Sequence, residues 1–555
     1  MTEEFWQSKY PDSLRKDIDL EAYDTLLNVF ETACRKFRNR PAFSNMGHVL
    51  TYGDLDRLSA NFASYLQNHT ALKRGDCVAI QLPNILQYPV VLFGIIRAGM
   101  IVVNTNPLYT AREMTHQFND AGCKAIIALA NFGHLVAEVV PNTSIETVII
   151  TELGDALPPL RRQLVNTVVK YVKKLVPKFK IKNAVSYLSA MESGRRSTFR
   201  ADFRPDREDV AVLQYTGGTT GVAKGAMLTH ANLVSNMLQM NMVLTDFEPG
   251  KETIIAPLPL YHIFCFTVSC MAIIELGGHS VLITNPRDIP AFVKELKRTK
   301  FTAFAGLNTL FVALMNDPQF KTVDFSKLKM TISGGMALQK VVAENWKKAT
   351  GCQICEGYGM TETSPVISVN PPQAIQIGTI GLPVYKTKIR ILNDANEDVA
   401  LGEVGELCVQ GPQVMKGYWN KPEATAETII DGWLHTGDIA LVQDDGYIKI
   451  VDRKKDMIIV SGFNVYPNEI EDVMVSHPDI LEVAAIGVPD DKSGEAVKIF
   501  VVTSNANLTE AEVKKFARDK LTGYKIPKFV EFRTELPKSN VGKILKRELR
   551  PKEDA

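Results

Sequence analysis

The chain has no run of about 18 uninterrupted apolar residues, so no part of it reads as a transmembrane helix. The nearest stretch, YPVVLFGIIRAGMIVV, is broken by Arg97 and Gly99 and reads as a buried helix followed by a strand. Net charge is also scarce. There are 63 Lys and Arg against 62 Asp and Glu, a formal charge of +1, so no overall basic field marks a nucleic-acid partner. The first residues, MTEEFWQSKYPDSLRKDIDLEAYD, hold no apolar core of a signal peptide, and a cytoplasmic location is expected. Eight cysteines are scattered through 555 residues, which suits a reducing compartment better than a disulfide framework. The pair Cys352 and Cys355 in CQIC has no second pair or nearby histidine to complete a metal site, and reads as part of a strand.

What is present is the composition of a globular protein, 45% apolar and 23% charged, in a chain too long for one core. From about residue 75, short apolar runs alternate with segments of helical pattern. DCVAIQLP, MIVVNTNP, CKAIIALA, ETIIAPL, HSVLIT, FTAFAG and LKMTISGG are the runs. This alternation predicts an α/β fold of parallel strands with crossover helices, with material for more than one sheet. TKIRIL, GELCVQG and GYIKIVD predict a small antiparallel, barrel-like region. A further α+β unit follows VDRKKD, so the expected domains are 1–451 and 452–555.

The most informative loop is QYTGGTTGVAKGAMLTH. Glycines let a backbone approach a ligand, threonines add hydroxyl donors, and Lys224 adds charge. The run DVAVLQ before it reads as a strand, and the segment from Thr229 reads as a capped helix. Together these predict a phosphate site. It is not a Walker A loop, because Lys224 is followed by Gly225.

YTGGTTGVAKG resembles the phosphate loop of the adenylate-forming superfamily of acyl-CoA synthetases, luciferases and peptide-synthetase adenylation domains. EGYGMTE, GWLHTGDIA, VDRKKDMIIVSGFNVYPNEIE and LPKSNVGKILKREL resemble further motifs of that family, in its order and over nearly the whole chain. DGWLHTGDIALVQDDGYIKIVDRKKD is similar to the signature of its bacterial long-chain fatty acyl-CoA synthetase branch. The resemblance implies a large ATP- and acyl-binding domain and a smaller mobile domain. Its reaction would be an ATP-dependent ligation, through an acyl-adenylate, of a long-chain fatty acid to coenzyme A, with Mg²⁺ as cofactor.

By that resemblance ATP is held by Thr216, Gly217, Gly218, Thr219, Thr220, Gly221, Lys224, Gly335, Glu356, Gly357, Tyr358, Gly359, Thr361, Asp438 and Arg453. Glu362 holds the metal, Lys543 is the catalytic lysine, and His262 stands beside the substrate carboxylate. Asp452 is the hinge, Ser461, Gly462 and Phe463 meet coenzyme A, and Phe266 takes the position of a gate to the acyl tunnel. The chain departs from the family at Gly217, where serine is common, and at Ala223, where proline is. Taken as residues alone, the same motifs leave open another adenylating enzyme, a luciferase-like oxygenase or a lipid-transfer protein. A homodimer is left open as well.

Residues 157–184 hold eight Lys or Arg and no acid. Leu164, Val165, Val168, Val169, Val172, Leu175 and Val176 fall at helical spacing on one face. This suits the inner, anionic face of a membrane, or equally an ordinary helix with a solvated basic side.

Overall fold

Strands covered on both faces read as apolar throughout rather than alternating. Ala125–Leu129 is such a run, Cys77–Gln81 and Ile101–Asn104 are apolar up to their last residues, and every residue in all three is buried. In the computed structural model, which describes residues 3–216, 223–490, 492–538 and 544–550, they lie side by side in a seven-stranded sheet. Its order is Val185–Ser186, Thr147–Thr151, Ala125–Leu129, Cys77–Gln81, Ile101–Asn104, Val210–Thr216 and Lys224–Thr229. All neighbours are parallel except the last two strands.

A nine-stranded sheet is built from the second group of apolar runs. Pro41–Asn45, His279–Leu282, Thr253–Ala256, Ala303–Gly306, Met330–Ser333 and Ile354–Gly359 are parallel, and antiparallel strands close both edges. One continuous apolar core joins the two sheets through helices such as Gln87–Arg97, in which every residue is buried. Open parallel sheets present ligands at the carboxyl ends of their strands. Thr216, Gly359 and the loop after Ser333 all lie at such ends.

The barrel-like region is a five-stranded antiparallel sheet of Lys388–Leu392, Gly405–Gln410, Ile429–Ile430, Trp433–Val442 and Ile448–Arg453. A fourth sheet, residues 458–532, carries the helices Pro467–Val475 and Glu510–Arg518 over its own core of Ile458, Val465, Ile470, Met474, Val483, Ile499 and Val513. The α/β architecture with a smaller α+β unit is therefore the one the patterning predicts. Cys355 lies buried in a strand beside half-buried Cys352, the structural role expected of CQIC.

Two expectations need correction. The phosphate-loop segment does not run straight into a helix. Lys224–Thr229 is a strand that folds back on Val210–Thr216, with Thr216 opposite Lys224, and the helix His230–Gln239 starts only after it. Thr229 caps that helix, as expected, in a box with Asn232. The basic segment is also not one long helix. It is α-helical over Pro159–Thr167 and widens into a π turn over Val168–Val172, where the Lys173 amide bonds back to the Val168 carbonyl. That wider turn ends the helix, so Leu175 and Val176 leave the predicted face. Among the described residues no helix is long and apolar enough to cross a membrane.

Candidate active site

The strand Ile354–Gly359 and the 3₁₀ turn Thr361–Thr363 place Glu356, Gly357, Tyr358, Gly359, Thr361 and Glu362 in succession along one wall. Gly359 is dictated by space: a Cβ there would sit 1.9 Å from the Pro365 carbonyl oxygen. That close approach lets the chain double back into Val366–Val369, which pairs with the same strand. Glu356 is buried and accepts the Leu338 amide at 3.0 Å; burial pushes its carboxyl up to about 8. Gly335 lies in the loop after Met330–Ser333, and its neighbour Gly334 approaches both the Gly357 carbonyl and the Phe264 ring.

Tyr358 donates its hydroxyl to Asp438 Oδ2 at 2.5 Å. Asp438 lies within the strand Trp433–Val442, directly opposite Arg453, whose Nε is 3.4 Å from Oδ1. The carboxylate is thus held between a phenol and a guanidinium, with its strand position fixed by backbone pairing. Burial and the adjacent Asp438 charge hold the Tyr358 phenol well above its ordinary range, so it stays a donor.

Glu362 is buried and accepts the Tyr418 hydroxyl at 2.7 Å. Burial raises its carboxyl, while the Tyr418 bond and the charges of Lys224 and Arg453 act in the opposite direction. Lys224 Nζ stands 4.8 Å from the centre of the Tyr418 ring. Tyr418 is a site residue that sequence reasoning missed. It reaches the site because residues 416–419 run along the strand Lys224–Thr229, with amide bonds from Trp419 to the Gly225 carbonyl and from Met227 to the Gly417 carbonyl. The cluster GYWN, with an aromatic pair between glycine and asparagine, was the available signal.

His262 starts the short helix Ile263–Cys265, and its Nδ1 accepts the Phe264 amide at 3.3 Å. Phe266 follows, fully buried, with its amide bonded to the His262 carbonyl. The Thr267 hydroxyl ties this helix to the Ser364 carbonyl at 2.7 Å, two residues beyond Glu362. The structure therefore brings Thr216, Lys224, the 356–362 wall, Asp438, Arg453 and the His262–Phe266 segment to one region.

Asp452 is buried and accepts the amides of Arg453 and Asn468 at 2.7 and 2.8 Å; burial pushes its carboxyl up to about 6. Ser461 and Gly462, at φ 51° and 82°, form the tight turn between the strands Ile458–Val460 and Phe463–Val465. Exposed Phe463 stacks on Tyr524, 4.7 Å between ring centres, within the small unit rather than against the wall. Gly217, Gly218, Thr219, Thr220, Gly221 and Lys543 lie outside the described residues.

The donor set suits a divalent cation carried by phosphates. Mg²⁺ keeps several waters and takes one or two carboxylates plus substrate oxygens rather than an all-protein cage. Glu362 is one buried carboxylate, and among the described residues no cluster of three His, Cys, Asp or Glu forms such a cage.

A family model described as AMP-binding enzyme matches residues 30–419, and its C-terminal domain matches residues 469–543. The chain is 55% identical over 548 residues to a long-chain-fatty-acid–CoA ligase of Escherichia coli O157:H7, covering 98% of this chain and 97% of that one. Among solved structures, the anthranilate CoA ligase AuaEII in complex with anthranoyl-AMP superposes with a TM-score of 0.84 at 25% identity, covering 95% and 96% of the two chains. ATP-bound MatB from Rhodopseudomonas palustris superposes with a TM-score of 0.79 at 27% identity, covering 94% and 98%. With the family's models matching most of its length and a 55%-identical relative aligned over nearly all of it, the chain belongs to the AMP-binding enzymes of the adenylate-forming superfamily.

Proposed function

We propose that the protein is an ATP-dependent acid–thiol ligase that converts long-chain fatty acids to acyl-CoA through an acyl-adenylate, releasing AMP and pyrophosphate. The observation that carries this is its 55% identity over nearly its full length to a long-chain-fatty-acid–CoA ligase.

In the first step a carboxylate oxygen of the fatty acid attacks the α-phosphorus of ATP, and the bond to the bridging oxygen breaks to release pyrophosphate. The nucleophile and its target are both anionic, so the site has to offset charge as the new bond forms. Lys224 and Arg453 supply fixed positive charge close to Glu362. Mg²⁺, when bound, neutralises phosphate oxygens and acts as a Lewis acid, with Glu362 as its protein carboxylate. Asp438, oriented by Tyr358, accepts from the ribose hydroxyls, and Tyr358 also borders the adenine. Lys543 meets the α-phosphate and the attacking carboxylate, and His262 faces the same carboxylate. In the second step the coenzyme A thiol attacks the acyl carbon. The acyl–oxygen bond to AMP breaks, AMP leaves, and the thiol proton passes to solvent.

The domains in this reading are 1–451 and 452–555, with the small one turning about Asp452 between steps. The turn withdraws Lys543 and presents Ser461, Gly462 and Phe463 to the pantetheine arm. Exposed Phe463 in a tight turn supports that role. Phe266, buried directly after His262, is the gate to the acyl chain. The segment 157–184 docks on the cytoplasmic membrane face. Leu160, Leu164, Tyr171, Val172 and Leu175 are exposed there among Lys170, Lys173 and Lys174.

The deciding experiment is ATP–pyrophosphate exchange across carboxylates of increasing chain length. Exchange that rises with length and needs no coenzyme A is the expected result. Exchange supported only by aryl or amino acids overturns the reading.

A further inference from the structure

The helix Ala111–Ala121 carries His116 and Asp120, four residues apart and so on one face. That face meets the residues on both sides of the segment 217–222. His116 donates from Nε2 to the Ala223 carbonyl at 2.9 Å. The Tyr215 hydroxyl donates to Asp120 Oδ2 at 2.8 Å. The other carboxylate oxygen of Asp120 pairs with Lys421 Nζ, also at 2.8 Å, and the Asp120 side chain is only 8% exposed.

Each partner leads to a charged group of the site. Tyr215 lies opposite Gly225 in the hairpin, one step from the Thr216–Lys224 pair. Its ring packs so closely that a Cβ on Gly225 would meet it at 2.9 Å. Lys421 follows, two residues on, the 416–419 strip whose Tyr418 donates to Glu362 and lies beneath Lys224. The Trp419 amide, between them, bonds to the Gly225 carbonyl. One carboxylate therefore fastens the hairpin that bears Lys224 and the strip that holds Glu362.

We propose that Asp120 is a positioning residue for ATP, setting the spacing between the Lys224 hairpin and the Tyr418–Glu362 pair, with His116 holding the opposite flank at Ala223. Among the described residues Asp120 bonds to Tyr215 and Lys421, and it acts through them. A nearly buried carboxylate with two charge-assisted or phenolic donors is stiff, because losing either donor leaves its charge underpaired. The inference rests on the adenylation reading given above.

The test uses the full-length enzyme and the variants Asp120→Ala, Lys421→Ala, Lys421→Arg and Tyr215→Phe. Three quantities are read: KM for ATP·Mg²⁺, calorimetric affinity for α,β-methylene-ATP with Mg²⁺, and the rate of thioester formation from supplied acyl-adenylate. Asp120→Ala is expected to weaken both nucleotide measures about tenfold, the scale of one lost charge-assisted hydrogen bond. Thioester formation and KM for coenzyme A stay within about twofold, as for a site with no direct part in that step. Lys421→Ala and Tyr215→Phe reproduce part of the loss, and Lys421→Arg restores it. If Asp120→Ala does not fold, the Lys421 and Tyr215 variants decide on the same readouts. Wild-type nucleotide affinity in these variants overturns the proposal, and so does an equal loss in both half-reactions. Analogue binding is read without fatty acid, so a wild type that binds the analogue but shows no acid-dependent exchange defeats the functional reading and leaves this inference separately measurable.

Discussion

Tyr358 and Asp438, eighty positions apart, share a 2.5 Å hydrogen bond that closes the 356–362 wall against the antiparallel sheet. The contact orients Asp438, with Arg453 on its other side. Asp438→Ala is expected to raise KM for ATP about 10- to 100-fold, the scale of lost hydrogen bonds to a charged group. Tyr358→Phe keeps the carboxylate and frees only its orientation, so its increase is smaller, about threefold. Steady-state kinetics at saturating fatty acid and coenzyme A checks both values.

Tyr418→Phe removes the hydroxyl that Glu362 accepts and leaves the ring beneath Lys224. The Mg²⁺ concentration for half-maximal adenylation is expected to rise about tenfold. A titration of pyrophosphate exchange with Mg²⁺ measures it, and an unchanged midpoint contradicts the role given to this pair.

Lys543→Ala is expected to slow adenylation by about 10² to 10³-fold, the cost of one transition-state donor. Thioester formation from supplied acyl-adenylate is spared. Comparing the half-reactions separately is the check, and equal losses in both count against the assignment.

Burial raises the Glu356 carboxyl from 4.5 to about 8. Between those values the folded protein keeps a proton that the unfolded chain has lost. The stability from this group is therefore complete below 4.5 and is lost as pH rises through about 8. Glu356→Gln cannot ionise, so its melting temperature should fall less steeply than the wild type between about pH 5 and about pH 9. Each kcal/mol so recovered moves the midpoint by about 1 °C in a unit of several hundred residues, and thermal scans across that range test it.

Reversing Lys173, Lys174 and Lys178 to glutamate is expected to lower partitioning onto phosphatidylserine-containing vesicles by about 100-fold at physiological salt. Exchange with detergent-dispersed fatty acid should not change. Vesicle sedimentation decides, and undiminished binding removes the membrane role from this segment.

Much of the fold was legible because its strands are short, almost wholly apolar and bounded by turns. Cys77–Gln81 and Ala125–Leu129 have no face to alternate. The order of strands was not legible, since Pro41–Asn45 beside His279–Leu282 is a pairing across more than two hundred residues. Lys224–Thr229 reads as part of the loop in sequence, because KGAMLT has no strand-like alternation of its own and gains its state from Val210–Thr216. In the site, motif order pointed to Glu362 and Asp438. It did not point to Tyr418 or Asp120, whose partners lie 56 and 95 positions away. The basic segment followed its helical period until the π turn at Val168–Val172 altered the phase, an effect of backbone geometry that side-chain pattern does not encode.

The amide bonds that lay residues 416–419 along the edge of Lys224–Thr229 have a consequence for breeding new variants of this enzyme. The two stretches behave as one inherited cassette although nearly two hundred residues separate them. Recombining this chain with a relative at a crossover inside that interval joins a hairpin from one parent to a strip from the other. Libraries meant to alter acyl preference should draw both stretches from the same parent.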